Sequence, residues 1–247
     1  MTVNYNDESY DYTSYWSNRS YEHNCEVIAL KKLLPKQGNA LVDIGGGFGR
    51  LLPYYKDKFK AITILDASSK LLNQARNQVD ILGLSNVAFK VDVLPFTNKS
   101  GLKSPQFDAA LMVRVSHHLT DLDPAVESIS KILVNEGVFV LEIANKWHFL
   151  NLVRNLCRLN FSVLSESPYK IGTFTLWSPK YVISNLEKHG FRVEEKLSVS
   201  NFRVYLLKRI IPEKILLLLE NLLQKPLSYI NFGPSIFIKA VKISSAV

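Results

Sequence analysis

Short apolar runs alternate with amphipathic stretches over the first 145 residues of the chain. The apolar runs predict strands at 40–44, 61–65, 87–91, 107–113 and 137–143. The amphipathic stretches predict helices at 20–34, 70–82 and 124–134. Ser20 suits the N-cap of the first helix, and Pro124 suits the first turn of the third. Buried strands that alternate with helices indicate a parallel sheet covered on both faces, and ligands bind such sheets at the carboxyl ends of the strands.

The pattern becomes less regular after residue 144. The stretch 145–167 is basic and compatible with a helix, and 212–224 is leucine-rich. Ser178 and Pro179 are a favourable N-cap and first position for another helix that ends at 189–190. The remaining apolar stretches predict a bent strand at 191–204 and a last strand at 235–243.

A glycine-rich segment, LVDIGGGFGR at 41–50, follows the first strand. Alternating glycines let the backbone turn tightly and approach a ligand, and we expect their N–H groups to meet a small anionic group. The dinucleotide fingerprint G-x-G-x-x-G, read from Gly45, requires a third glycine where this chain has Arg50. The alternative pattern is D-x-G-x-G-x-G, which begins at Asp43.

Three acidic residues each end one of the first three predicted strands: Asp43, Asp66 and Asp92. Asp66 suits a ribose diol, because a carboxylate accepts hydrogen bonds from two hydroxyls, or it caps the helix that follows. Asp92 suits an adenine amino group, or it is an ordinary loop acid. Three acids at neighbouring strand ends predict a nucleoside site more specifically than the glycines alone.

These motifs together resemble the class I methyltransferases that use S-adenosylmethionine (SAM), most closely the small-molecule branch called type 11. The resemblance is carried by VDIGGGFGR, ILDAS, VDVLPF and FDAALMVRVSHHLTD. It covers residues 15–145 well and is weak over 146–247. It implies an α/β Rossmann-like sheet of seven strands, mostly parallel with an antiparallel C-terminal strand, and helices on both faces. One domain of 1–247 is expected, with an N-terminal lid and helix (1–36), a SAM-binding core (37–145), and a substrate-binding insertion with the C-terminal strands (146–247).

The resemblance also implies which residues surround the cofactor. Gly45 and Gly47 would pass the methionine part of SAM, Asp66 would bind ribose, and Asp92 and Val93 would hold adenine. The full set expected to bind the cofactor is Arg19, Asp43, Gly45, Gly47, Asp66, Ala67, Ser68, Asp92, Val93 and Arg114. The product would be S-adenosylhomocysteine (SAH).

Five residues have more specific expected roles. Asp43 would order the glycine loop, and Arg114 begins the segment whose backbone would touch the methionyl amino group. Arg19 would pair with the SAM carboxylate, or it is an ordinary surface arginine. His118 is the preferred candidate base beside the methyl donor, with His117 as its neighbour, and a structural role for this pair stays open.

The N-terminal segment is rich in tyrosine, which indicates an aromatic lid over the sulfonium or simple packing on the sheet. The tyrosines are Tyr5, Tyr10, Tyr12 and Tyr15. The expected acceptor pocket is built from 145–177 and this lid. Its aromatic candidates are Trp147, His148, Phe149, Phe161, Tyr169, Phe174 and Trp177.

Charge and composition limit the function classes. The net charge of +8 is uneven, because residues 1–145 carry −1 and residues 146–247 carry +9. Such an excess suits an acidic substrate, a nucleic acid or an anionic lipid surface, or is an ordinary basic surface. The N-terminus is polar and no apolar run is long enough to span a bilayer, so we expect a cytoplasmic protein. Cys25 and Cys157 lack metal or redox spacing, and no metal site is expected.

The sequence therefore predicts a SAM-dependent methyltransferase that acts on an O, N or C atom of a small molecule. Two alternatives stay open: a lipid-like or quinone-like acceptor at a membrane surface, and an RNA-interacting enzyme. The segment Arg114–His117 lacks the N-P-P-[YF] pattern of base methylation, which disfavours a nucleic acid. Contact of 212–224 with a membrane surface and a homodimer are further hypotheses.

Overall fold

The computed structural model describes residues 5–7, 11–97 and 100–243. Its main element is a seven-stranded sheet of order β3-β2-β1-β4-β5-β9-β8, beside a two-stranded hairpin, β6-β7. The strands are β1 (Gly38–Ile44), β2 (Phe59–Asp66), β3 (Val87–Val91), β4 (Phe107–Met112), β5 (Leu133–Ala144), β6 (Tyr169–Ile171), β7 (Phe174–Leu176), β8 (Phe191–Val199) and β9 (Ser235–Lys242). Strands β1 to β5 pair in parallel, and β9 runs antiparallel to both β5 and β8. The predicted seven-stranded Rossmann-like sheet is confirmed.

Helices cover both faces of this sheet. They are α1 (Ser20–Leu33), α2 (Ser69–Ile81), α3 (Asp123–Ile132), α4 (Phe149–Cys157), α5 (Pro179–Lys188), α6 (Tyr205–Ile210) and α7 (Glu213–Tyr229). One apolar core lies between the sheet and α1, α2 and α7. A second lies between the opposite face and α3 and α5. Both faces of the central strands are therefore buried, which explains why they are continuous apolar runs rather than alternating ones.

Local signals in the sequence located some element ends and misplaced others. Ser178 accepts a hydrogen bond from the backbone N–H of Tyr181, as its predicted N-cap role requires. The predicted N-cap role of Ser20 is wrong, because Ser20 is the first residue of α1 and its hydroxyl donates to Glu213 (2.6 Å). The predicted bent strand at 191–204 ends at Val199. The chain then turns into α6.

A buried carboxylate holds α7 against α1 and the end of β8. Glu220 accepts hydrogen bonds from the hydroxyl of Tyr21 (2.9 Å) and from the backbone N–H groups of Ser200 (2.7 Å) and Asn201 (3.1 Å). Burial raises the pKa of Glu220, and these donors partly offset that effect. None of the helices within the described residues is long and apolar enough to cross a membrane.

We expect Glu220→Ala to lower the free energy of unfolding by about 3 kcal/mol or more. The substitution leaves the Tyr21 hydroxyl and two buried N–H groups without an acceptor, and each such loss costs about 1–3 kcal/mol. Urea denaturation measures the change. Leu222→Ala, at an exposed position of the same helix, is the matched control and should change the value by no more than about 0.5 kcal/mol. Equal effects of the two substitutions would contradict this account of α7.

Candidate active site

A cavity of about 310 Å³ lies at the carboxyl ends of β1, β2 and β3. We call it the first cavity. The glycine loop that follows β1 forms one wall, and Asp66, Ala67, Asp92 and Val93 form another. The position of the first cavity follows from the sheet topology, because the carboxyl ends of parallel strands lie at one edge of the sheet. The structure thus brings together most of the residues predicted for the cofactor.

The glycine loop approaches the first cavity closely, but the N–H groups of Gly45, Gly46 and Gly47 are already bound within the protein. Gly45 and Gly46 donate to the carbonyl of Leu65, and Gly47 donates to Asp66 Oδ2 (2.9 Å). The expectation that these N–H groups meet an anionic ligand is therefore wrong. The glycines are required by geometry: Gly45 has φ of +71°, and a Cβ there would lie 2.1 Å from Val115 Cγ2.

The acids at the ends of β1 and β2, Asp43 and Asp66, have different roles. Asp43 is buried, accepts a hydrogen bond from the Tyr55 hydroxyl (2.6 Å), and has its pKa raised to about 6 by burial. Asp66 is half-buried and pins the loop through Gly47 and its own helix through the N–H of Ser68 (2.8 Å). Asp43 supports the loop from below, whereas Asp66 is reachable from the cavity.

Asp92 lines the first cavity with a carboxylate that its own loop already binds. Its Oδ1 accepts from Val93 N (2.8 Å), Thr97 N (3.1 Å) and Thr97 Oγ1 (2.6 Å), and its Oδ2 accepts from Ser100 N (3.2 Å). Burial raises the pKa of Asp92, but these hydrogen bonds outweigh it and lower the pKa to about 2. A carboxylate offers about four lone-pair sites, and Oδ1 is fully used. Only Oδ2 is left to accept from a ligand.

A buried ion network that the sequence did not reveal lies beside the first cavity. Glu26 of α1 is fully buried and receives Arg50 Nη2 at 2.6 Å and Arg114 Nε at 2.7 Å. Burial alone would raise the pKa of Glu26, but the two guanidinium groups outweigh it and hold the pKa below its usual value. One carboxylate therefore connects α1, the end of the glycine loop and the segment after β4.

Arg114 stands between two cavities. It has φ of +64°, a conformation that non-glycine residues rarely adopt, and its N–H donates to Glu142 Oε2 (2.9 Å). Burial alone would lower the pKa of Arg114, but the charges of Glu26 and Glu142 outweigh that effect and raise the pKa above its usual value. The guanidinium is therefore charged. Backbone strain of this kind is often found at functional sites. Arg114 lines both the first cavity and a second one.

The second cavity has a volume of about 300 Å³ and a mixed lining. Phe174 and Ile171 of the β6-β7 hairpin supply apolar surface, and Arg203 supplies a positive charge. The hydroxyl of Ser200 is buried, and no partner for it is found among the described residues. Of the aromatic residues predicted for the acceptor pocket, Phe174 lines this cavity, whereas the fully buried Trp177 supports the sheet.

The two adjacent histidines face different cavities. His118 lines the first cavity and exchanges a hydrogen bond with the Tyr5 hydroxyl (3.2 Å), and His117 lines the second. Burial, followed by the charges of His118 and Arg114, lowers the pKa of His117 to about 3. Burial also lowers the pKa of His118. Both imidazoles are therefore neutral at pH 7.

The N-terminal aromatic residues cover both cavities. Tyr5 and Tyr12 line the first cavity with ring centroids 5.3 Å apart, and Tyr15 lines the second. Arg19 lies outside the first cavity, because its guanidinium stacks on the Tyr15 ring at 4.1 Å. Tyr10 lies outside the described residues.

Ser68 also differs from its expected position. Its hydroxyl caps α2 by accepting from Leu71 N (3.2 Å) and donates to the backbone oxygen of Tyr5 (3.1 Å), so it does not line the first cavity. It acts instead as a link between α2 and the N-terminal segment.

Comparison with known proteins gives the chain its family context. Residues 42–139 match the family described as "Methyltransferase domain". The chain is 25% identical over 203 residues to the uncharacterized protein MJ1252 of Methanocaldococcus jannaschii, covering 75% of this chain and 76% of that protein. It is 30% identical over 131 residues to N-methyltransferase 4 of Papaver somniferum, covering 51% of this chain and only 35% of the poppy protein.

A solved structure shares the whole fold. Magnesium protoporphyrin IX methyltransferase (ChlM) from Synechocystis PCC 6803, with bound SAH, superposes with a TM-score of 0.61 at 14% identity. The similarity covers 96% of this chain and 90% of that one. The seven-stranded order with an antiparallel C-terminal strand is thus the Rossmann-like fold of methyltransferases.

We expect Gly45→Ala to lower the free energy of unfolding more than Gly47→Ala. Both positions have positive φ, which costs alanine about 1–2 kcal/mol. Only at Gly45 would the added Cβ overlap Val115, which adds about 1–3 kcal/mol. Urea denaturation measures the difference. In a Val115→Ala background Gly45→Ala should cost no more than Gly47→Ala, and an unchanged difference there would contradict the steric explanation.

Proposed function

We propose that the chain is a class I SAM-dependent methyltransferase that transfers the methyl group of SAM to a small molecule in the second cavity. Residues 42–139 match a methyltransferase domain, and the fold is that of a methyltransferase solved with SAH. The observation that carries this proposal is the pair of cavities that meet at Arg114. For a donor and an acceptor held in adjoining spaces, alignment and exclusion of water are the main catalytic contributions.

The first cavity suits the chemistry of SAM. Asp66 is within reach of a ligand and suits a ribose diol, and Asp92 Oδ2 with Val93 suits adenine. The rings of Tyr5 and Tyr12 suit the positive sulfonium, at about 0.5–2 kcal/mol each. A volume of about 310 Å³ lies in the range of small-molecule sites. SAM, when bound, supplies a methyl group already activated by its sulfonium.

The residues of the chain would orient the reactants and manage one proton. Arg114, held by Glu26 and Glu142, lines both cavities and would orient the acceptor beside the methyl group of the donor. Where the acceptor is a hydroxyl or a protonated amine, His118 is the proposed base, because its neutral imidazole lies at the edge of the donor site. His117, whose pKa is about 3, is too weak a base for this task and is proposed to position the acceptor.

The second cavity supports an acceptor with an apolar body and a polar end. Phe174 and Ile171 offer apolar contact. No carboxylate of the described residues lies within ion-pair distance of Arg203. The unpartnered Ser200 hydroxyl lines the same space. These groups favour a small molecule over a nucleic acid. A lipid-like or quinone-like acceptor stays the second candidate. A cytoplasmic location stays a prediction.

The direct test is a search for product in a deproteinised metabolite extract incubated with the full chain and methyl-labelled SAM. A product that carries the label and is heavier by one methylene would identify the acceptor. Extracts in which RNA or vesicle lipids alone become labelled would overturn the small-molecule assignment in favour of that acceptor.

We expect Asp66→Asn to raise the Kd for SAH about tenfold to a hundredfold, because hydrogen bonds to a charged group contribute about 1.5–3 kcal/mol. Isothermal titration calorimetry measures the change. Asp57→Asn, at an exposed acid, is the matched control and should leave the Kd unchanged. Failure of the folded wild-type chain to bind SAH would contradict the proposed function itself.

We expect methyl transfer to an acceptor that must lose a proton to decline only below pH 6.5, the usual pKa of histidine. A histidine with a lowered pKa stays neutral, and so able to act as base, until the pH falls below that pKa. His118→Asn should remove this acid limb and lower kcat. His117→Asn should keep the limb and chiefly raise the KM of the acceptor. An identical pH profile in wild type and His118→Asn would exclude His118 as the base.

A further inference from the structure

Helix α4 turns its apolar side outward. Its buried residues are Asn151 and Asn155, and the Nδ2 group of Asn155 donates to the backbone oxygen of Asn151 (2.8 Å). Its exposed apolar residues are Phe149, Leu150, Val153 and Leu156. At 3.6 residues per turn these lie on the side of the helix opposite to the two asparagines. Water-exposed helices of globular proteins show the reverse arrangement.

Helix α7 has the same inversion. It buries Leu216 together with three polar residues, Glu220, Gln224 and Ser228. Its exposed apolar side chains, on the opposite side, are Ile215, Leu218, Leu222 and Tyr229. The buried polar side chains are hydrogen-bonded, as shown above for Glu220. The outward apolar side is therefore a stable feature of the fold rather than the result of a loosely placed helix.

The exposed apolar residues of this region form what we call the apolar face. It comprises the outward residues of α4 and α7, followed by Leu159, Phe161, Leu164, Tyr205, Leu206, Ile210 and Ile230. The two ends are in contact, since the ring of Phe149 stacks on that of Phe232 beyond α7 with centroids 5.4 Å apart. Exposed apolar side chains on adjoining helices mark a candidate interaction site.

Charge indicates what covers the apolar face. Residues 149–164 include Arg154 and Arg158 and no acidic residue, and Arg209 lies on α6. The C-terminal region carries the whole positive excess, +9 over 146–247. A second copy of the chain would bring these like charges together across a symmetric contact, which is unfavourable. Basic side chains among exposed leucine and aromatic residues are instead typical of helices that lie in the headgroup region of an anionic bilayer.

We infer that the apolar face docks on an anionic lipid bilayer, with α4 and α7 in the plane of the headgroups. The inference goes beyond methyl transfer and does not depend on it. The face adjoins the second cavity along the chain. Phe232, which stacks on Phe149, is two residues from Pro234 of the cavity lining. Arg203 of the same lining is two residues before α6. Docking would therefore place the opening beside Arg203 near the membrane surface, where a lipophilic acceptor is available.

Flotation of the full chain with vesicles tests this inference. The chain should float with vesicles of phosphatidylcholine mixed with phosphatidylglycerol, and much less with phosphatidylcholine alone. Val153→Asp/Leu156→Asp should lower the partition coefficient about tenfold or more, because interfacial binding scales with the apolar area inserted. Ile81→Asp, at an apolar position of α2 that is 85% exposed, is the matched control and should float as wild type does.

A second measurement reports on α4 alone. Cys157 is exposed and Cys25 is buried, so an environment-sensitive dye on Cys157 should shift its emission to shorter wavelength when the anionic vesicles are added. Circular dichroism and SAH binding show whether each variant is folded. Absence of flotation by the wild-type chain, or flotation that the double substitution leaves unchanged, would overturn the inference. Concentration-dependent dimers that the double substitution abolishes, in a chain that does not float, would overturn it in favour of a second copy.

Discussion

The site depends on the buried ion pairs that Glu26 forms with two arginines. Two guanidinium groups, from Arg50 and Arg114, converge on this fully buried acid. Removal of one partner from a buried ion pair costs about 3–5 kcal/mol, because the remaining charge is left uncompensated. The network therefore holds α1, the glycine loop and the segment after β4 in one arrangement. Because Arg114 lines both cavities, this arrangement also determines how the two cavities adjoin.

The positions of the acids at the strand ends could be predicted from the sequence because their cause is local. A buried parallel strand is a short apolar run, and the polar residue that ends it is visible in the sequence, as with Asp66 after β2. The bounds of β3 were correct for the same reason. The N-cap Ser178 with Pro179 is a similarly local signal, and it correctly marked the start of α5.

The residues that complete the site could not be predicted, because their partners are far away along the chain. Glu26 and Arg114 are 88 residues apart, and no local pattern indicates that they pair. Arg203 and Ser200 lay within a predicted strand that in fact ends at Val199. Periodicity reveals that α7 has an apolar side, but it does not reveal whether that side faces the core. In α4 and α7 hydrogen bonds of buried polar residues decide the orientation.

The glycine loop shows how a correct motif can be given the wrong mechanism. The N–H groups of Gly45, Gly46 and Gly47 bond to Leu65 and Asp66, so these glycines contribute close approach rather than anion binding. In the proposed function, selectivity for a nucleoside would then depend on Asp66, the loop around Asp92, and Tyr5 and Tyr12. The excess of positive charge does not lie in residues 1–145, which contain the glycine loop. It lies in residues 146–247, which contain the apolar face and part of the lining of the second cavity.

The most direct test of the two-cavity arrangement is a crystal structure of the full chain with SAH. The account predicts adenosine in the first cavity, with its ribose against Asp66 and its base beside Val93, and the second cavity free on the other side of Arg114. Density for SAH in the second cavity, or a first cavity closed by protein side chains with SAH bound elsewhere, would contradict it.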